Sequence, residues 1–186
     1  MKHLYFVRHG ESLINISDLF GTSLGTKEDM ALTALGEEQA LAAGKKAAAD
    51  GFHCDLIVSS PLLRAKQTAE IIARQIDYPL DRIQYSDLLM EIHFGELEGR
   101  PWNEYWQSGH TYADLDKVKG AETIPMLQKR AEKALEFLRS LPEDDILVAS
   151  HSAFGRALKR VIAGLPPSDE FVNGTSLPFA QILQLI

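Results

Sequence analysis

Arg8 and His9 stand directly after the apolar run Leu4-Tyr5-Phe6-Val7, where a buried strand gives way to the polar segment Gly10-Glu11-Ser12. A histidine at the end of such a strand can act as a nucleophile, because a neutral imidazole nitrogen attacks phosphorus when a cation beside it holds the phosphoryl oxygens. Arg8 suits that partner role, being planar, permanently charged and able to grip two oxygens at once. The same pentapeptide also fits a surface turn with an incidental charged pair, so the rest of the chain decides. Ser59, Ser60 and Arg64 follow a second apolar run, and Ser150 and His151 follow a third. Taken singly, Arg64 reads as a solvated helix face and His151 as a helix-start residue. Taken together, two arginines and two histidines at strand ends form a pocket matched to a tetrahedral oxyanion.

The elements that must position these residues follow from the hydrophobic pattern. Lys2 to Val7, Asp55 to Ser59 and Asp145 to Ala149 read as strands. Thr33 is the expected N-cap of a helix over Ala34 to Ala49, with Leu35, Ala40, Leu41, Gly44 and Ala48 as its inner stripe. Ser60 and Pro61 are expected to cap and open a second helix reaching about Arg74. Further helices are expected over Thr123 to Ser140 and Ser152 to Ala163, and Phe179 to Ile186 alternates weakly enough to suggest a last strand. Strand, polar loop and helix recur three times, which is the α/β pattern, and ligands in such sheets bind at the carboxyl ends of the strands. There is no internal repeat or linker-like tract, and 186 residues form a single domain with a full core of its own.

The formal net charge is −7 and no basic stripe exists, which argues against nucleic acid as a partner. Small anions are not excluded, since a few cations focused in one cleft bind them whatever the overall sign. No signal-peptide pattern or membrane-length apolar run is present, so no membrane partner and a cytoplasmic location are expected. The single cysteine, Cys54, precedes an apolar run and reads as a buried small hydrophobe rather than a catalytic thiol.

Several further segments in fixed order carry a resemblance. They are Arg8-His9-Gly10-Glu11-Ser12 with Asn15, Leu32-Thr33 with Gly36 and Gln39-Ala40, Ser59-Ser60-Pro61 with Arg64-Ala65 and Gln67-Thr68-Ala69, Glu91 with Phe94-Gly95 and Glu98-Gly99, Gly120 with Glu122-Thr123, and Ser150-His151-Ser152. With them the chain resembles the histidine phosphatase superfamily, also called the phosphoglycerate mutase-like family. The resemblance implies a three-layer α/β/α sandwich around a mostly parallel sheet. It implies His9 as phosphate-accepting nucleophile, Arg8, Arg64 and His151 as phosphate clamp, and Glu91 as proton donor, with no metal or cofactor. Asn15 matches an auxiliary phosphate donor, Gly21 and Thr22 would offer backbone N–H groups, and Ser152 would add a further substrate contact. The family's usual arginine in that loop is missing, since no arginine lies between Arg8 and Arg64.

The proton donor has a chemical reason, because an alkoxide leaving phosphorus needs a proton and a carboxyl sheltered beside Phe94 could supply it. Glu96 and Glu98 read as ordinary surface carboxylates, and His3, His53, His93 and His110 as packing or surface residues. Between Gly99 and Gly120, Trp102, Tyr105, Trp106 and Tyr112 form a lid-like aromatic segment that either encloses the substrate or caps the core. This segment carries few cations, which favours hydrolysis of small phosphorylated metabolites over a cofactor-dependent mutase reaction. Two alternatives remain: a metal-dependent hydrolase built on His9, His151 and Glu91, which two converging guanidinium groups disfavour, and a non-catalytic phospho-ligand module. A monomer or homodimer is expected.

Overall fold

A computed structural model of the chain describes residues 1–17, 19–21, 31–168 and 176–186. Five strands form one sheet: β1 (His3–Arg8), β2 (Leu56–Ser59), β3 (Gln84–Tyr85), β4 (Asp145–Ser150) and β5 (Ile182–Gln184), in the order β3-β2-β4-β1-β5. All neighbours run parallel except β5, which lies antiparallel to β1. Helices cover both faces, as parallel strands buried on both sides require.

Alternation along the strands sorts the side chains between two cores. Leu4, Phe6, Leu56, Val58, Ile146 and Val148 face α5 (Ile124–Ser140) and α6 (Ser152–Ile162). Val7, Ile57, Leu147 and Ala149 face the opposite layer, made by α2 (Ala34–Ala49) and α3 (Leu63–Gln75). The short helices α1 (Leu13–Ile16) and α4 (Trp102–Gln107) lie in the connections. Among the described residues no helix is long and apolar enough to cross a membrane.

Two local expectations are corrected. The buried face of α2 is Gly36, Ala40, Gly44 and Ala47, whereas Leu35 and Ala48 are exposed and Leu41 is only half-buried. The reason is close helix packing: a Cβ on Gly44 would lie 2.7 Å from the Gln75 side chain, so only the smallest residues fit against α3. Helix α3 begins at Leu63, with Leu62 rather than Ser60 at its cap position. The Ser60 hydroxyl is turned instead toward His151, at 2.8 Å. Strand β3, two exposed residues long, had no pattern to announce it.

The same close approach fixes the loop after β1. A Cβ on Gly10 would meet the Gly36 carbonyl at 2.3 Å, and one on Gly36 would meet the Glu11 carbonyl at 1.9 Å. Main chain therefore rests on main chain where the loop crosses the start of α2.

Candidate active site

Parallel pairing sets the positions of the two histidines before any side chain is considered. Arg8 of β1 is level with Ser150 of β4, so His9 and His151 leave adjacent strands together, and the His9 amide donates to the Ser150 carbonyl at 2.9 Å. Ser60 leaves β2 on the other side of β4, its amide on the Ala149 carbonyl at 2.9 Å. Arg64 arrives from the first turn of α3. The ring centroids of His9 and His151 are 5.1 Å apart.

The loop carrying His9 is pinned by side chains from two helices. Gly10 N–H donates to the Thr68 hydroxyl at 3.1 Å and Glu11 N–H to the Gln39 amide oxygen at 2.8 Å. Thr33, the α2 cap, also reaches the Glu11 carboxylate at 2.8 Å. These contacts leave the His9 ring little freedom.

Its tautomer follows from its partners. His9 Nδ1 lies 2.6 Å from the Gly10 carbonyl, which can only accept, so Nδ1 carries the proton. His9 Nε2 accepts from Arg64 Nε at 3.2 Å. Burial, then the charges of Arg64 and Arg8, hold the His9 pKa well below the usual histidine value. Burial and Arg64 depress His151 in the same direction. Both rings are therefore neutral at pH 7. Burial also draws the guanidinium groups of Arg8 and Arg64 down to about 10, so both stay charged.

Two buried nitrogens beside His9, Arg8 Nε and His151 Nδ1, have no hydrogen-bond partner. Unpartnered buried polar groups are costly, and an anion placed here could answer them. Arg8 is otherwise steered by a bond from its Nη1 to the Leu177 carbonyl at 2.7 Å and by stacking 3.8 Å over the Phe179 ring.

A cavity of about 330 Å³ opens at this point, within the range of small-ligand sites. Arg8, His9, Arg64, Glu91 and Ser152 line it, together with Asn15 and Gly21; His151 does not. Thr22 lies outside the described residues. The Asn15 amide oxygen accepts from both the amide and the hydroxyl of Ser12, at 3.0 and 2.7 Å, which leaves its NH₂ as the group able to donate to a ligand. The Ser152 hydroxyl accepts from Leu177 N–H at 3.3 Å.

Glu91 lines the cavity together with Phe94 and is held from a helix start. Its oxygens accept from the first amides of α6, Ala153 at 3.1 Å and Phe154 at 3.0 Å, and from Ile92 at 3.1 Å. A helix N-terminus is a natural seat for a carboxyl group.

The aromatic segment contributes to both the cavity wall and the core. Trp102, Trp106 and Tyr112 line the cavity, while Tyr105 and Trp106 also pack edge-on against the buried Phe20. Burial pushes the Tyr112 phenol up to about 12. Elsewhere burial pushes the Cys54 thiol up to about 12, which makes it a poor nucleophile. His93 Nδ1 accepts from Gly95 N–H, and His110 stacks on Tyr105. Among the described residues no group of three or more His, Cys, Asp and Glu is arranged to hold a metal ion.

The sequence profile of the histidine phosphatase superfamily (branch 1) matches residues 4–175. The chain belongs to that superfamily. The uncharacterized phosphatase PhoE of Bacillus subtilis is 32% identical over 187 residues, covering 97% of this chain and 90% of its own. A protein named "Probable phosphoglycerate mutase GpmB" in Salmonella newport is 33% identical over 174 residues, covering 89% of this chain and 77% of its own. The fold is shared with the α-ribazole phosphatase of Shigella flexneri at a TM-score of 0.80, with 23% identity and coverage of 98% and 89% of the two chains. It is shared with a mycobacterial glucosyl-3-phosphoglycerate phosphatase at 0.78, with 22% identity and coverage of 99% and 90%. Relatives of this histidine phosphatase family member thus carry both phosphatase and mutase names.

One cation of the site escaped sequence reasoning. Arg156 lines the cavity from the second turn of α6, with Nε on the Ser152 carbonyl at 3.3 Å. Its spacing of four from Ser152 was the available signal, since i and i+4 share a helix face. Ser60 was expected both among the strand-end residues and as a helix cap, and nothing in its local sequence tied it to His151 in particular.

Proposed function

We propose that this chain hydrolyses small phosphomonoesters through a phosphohistidine on His9, without a metal ion. The observation that carries the reading is the state of the His9 ring, buried and neutral, with its proton on Nδ1 and the Nε2 lone pair directed at the Arg64 guanidinium. That lone pair is the nucleophile, and the cation touching it is where a phosphoryl oxygen belongs.

In the first step the Arg64 donors pass from Nε2 to phosphoryl oxygens, and Nε2 attacks phosphorus. The ester P–O bond breaks with its electron pair leaving on oxygen, and Glu91 delivers a proton there. In the second step Glu91, now ionised, takes a proton from water; the oxygen attacks phosphorus and the N–P bond breaks, returning the pair to Nε2. Arg8, Arg64 and the His151 Nδ1–H stabilise the charge that metal ions stabilise in other phosphoryl transfers.

Hydrolysis is favoured over phosphoryl relocation by the lining of the cavity. Beyond the clamp it carries the aromatic rings of Phe20, Phe94, Trp102, Trp106 and Tyr112, with Arg156 as its further cation among the described residues. A mutase must shield phosphohistidine from water while a doubly phosphorylated intermediate turns over. The test is to mix the protein with a labelled monoester and quench in alkali. Acid-labile label on His9, absent in His9→Ala along with turnover, is expected; label on Ser12, Ser60 or Glu91 overturns the reading.

A further inference from the structure

The general acid must meet the leaving oxygen within hydrogen-bond distance, yet Glu91 lies between two short 3-10 turns, Asp87–Leu89 and Gly95–Leu97, in main chain that belongs to no strand or α-helix. Something outside that segment has to hold it. Four consecutive carbonyls, Leu88 to Glu91, are each taken by a side chain. Ser150, the residue before His151, donates its hydroxyl to Leu89 at 2.6 Å. Arg130 of α5 takes the other three: Nη1 reaches Leu88 at 2.9 Å and Met90 at 2.7 Å, and Nη2 reaches Glu91 at 3.3 Å.

The remaining guanidinium donors form a two-point pair with Glu122, Nε to Oε1 at 2.8 Å and Nη2 to Oε2 at 2.6 Å. All five N–H donors of Arg130 are therefore engaged, and none is left for substrate. The guanidinium also lies 5.3 Å over the ring of Phe154, whose amide holds the Glu91 carboxylate. One half-buried cation thus fixes the main chain of Glu91 and packs on the residue that fixes its side chain.

We infer that Arg130, held in orientation by Glu122, is a positioning residue for the general acid Glu91. The inference rests on the acid role proposed above. Arg130 touches neither cavity nor substrate; it acts by setting where the Glu91 carboxyl stands against the leaving oxygen. Lysine cannot replace it, since an ammonium has three donors and no plane.

A positioning role separates from a merely structural one by leaving group. An alkyl phosphate needs a proton on departure, whereas 4-nitrophenyl phosphate hardly does, so rapid-quench rates of His9 phosphorylation should be measured for both esters on the same preparations. Arg130→Met should slow phosphorylation by glycerol phosphate about 10- to 100-fold, the scale of a misplaced catalytic group, and slow the nitrophenyl ester by less than about threefold. Inhibition by inorganic phosphate should move by less than about twofold, and Arg130→Lys should recover only part of the loss. In a Glu91→Gln background, Arg130→Met should add less than about threefold, because the two substitutions remove one function. Equal losses for both esters, or a full loss persisting in the Glu91→Gln background, overturn the inference while the acid role stands. If Glu91→Gln alone slows both esters equally, the acid role itself is wrong and the inference falls with it, a pattern distinct from the other two.

Discussion

His151 Nε2 and Ser60 Oγ lie 2.8 Å apart, and the same Ser60 oxygen accepts from Leu62 N–H at 3.3 Å. A Ser60 hydroxyl that donates its proton to Nε2 puts the ring proton of His151 on Nδ1. In that arrangement the buried, unpartnered Nδ1 is a donor.

Ser60→Ala should free the ring to carry its proton on either nitrogen and weaken the hold on phosphate. The inhibition constant for inorganic phosphate is expected to rise about 2- to 10-fold, the range set by loss of one neutral hydrogen bond. An unchanged constant in competition assays would remove Ser60 from the clamp.

Arg64 should matter more, because its bond to phosphate is charge-assisted. Arg64→Ala is expected to weaken phosphate binding by about 1.5–3 kcal/mol. Exhaustive chelation should leave the rate of the unaltered protein unchanged, and vanadate, which imitates five-coordinate phosphorus, should inhibit it. A rate that collapses with chelator and returns with Mn²⁺ or Zn²⁺ contradicts the metal-free reading.

The two neutral histidines predict how stability depends on pH. Their folded pKa values lie well below the unfolded value of about 6.5. Above that value both states hold the rings neutral and the histidines contribute no slope. Below it the unfolded chain takes up protons that the folded chain refuses, so stability falls as pH falls, by up to about 1.4 kcal/mol per pH unit for each ring. Urea titrations from pH 7 to pH 5 should show this decline, and it should be roughly halved in His151→Asn. A flat profile over that window would mean that the rings are protonated in the folded state.

Phosphatase and mutase activity can be measured side by side. Steady phosphate release from several monoesters is expected, with little conversion of 3-phosphoglycerate into 2-phosphoglycerate even after priming with the bisphosphate. Isomerisation about tenfold faster than hydrolysis would reverse that assignment while leaving the histidine chemistry intact.

Arg8, His9, Arg64 and His151 were legible because each is a chemically distinctive residue just beyond an apolar strand, and the parallel sheet brings such positions together. Arg130 and Arg156 were not, since an arginine on an amphipathic helix looks the same in sequence whether it meets solvent, a carbonyl or a cavity. The α2 stripe failed for a related reason. Hydrophobicity ranks Leu35 above Gly36, but a helix pressed against α3 and the His9 loop buries whichever residue is small enough. Ser60-Pro61 has the form of a helix start, and only the fold shows that the hydroxyl has a tertiary partner. Thr22 could be named from the resemblance but falls outside the described residues.

The level pairing of Arg8 with Ser150 makes the sheet a ruler for the reaction. His9 and His151 each follow directly on one of two hydrogen-bonded strands, whose spacing of about 4.8 Å is set by backbone geometry rather than by the connecting loops. The aromatic residues from 102 to 112 contribute to the cavity from outside the sheet. Substitutions there can therefore reshape the cavity wall while the sheet keeps His9 and His151 in place, so the alcohol accepted and the chemistry proposed for His9 can drift independently in this architecture.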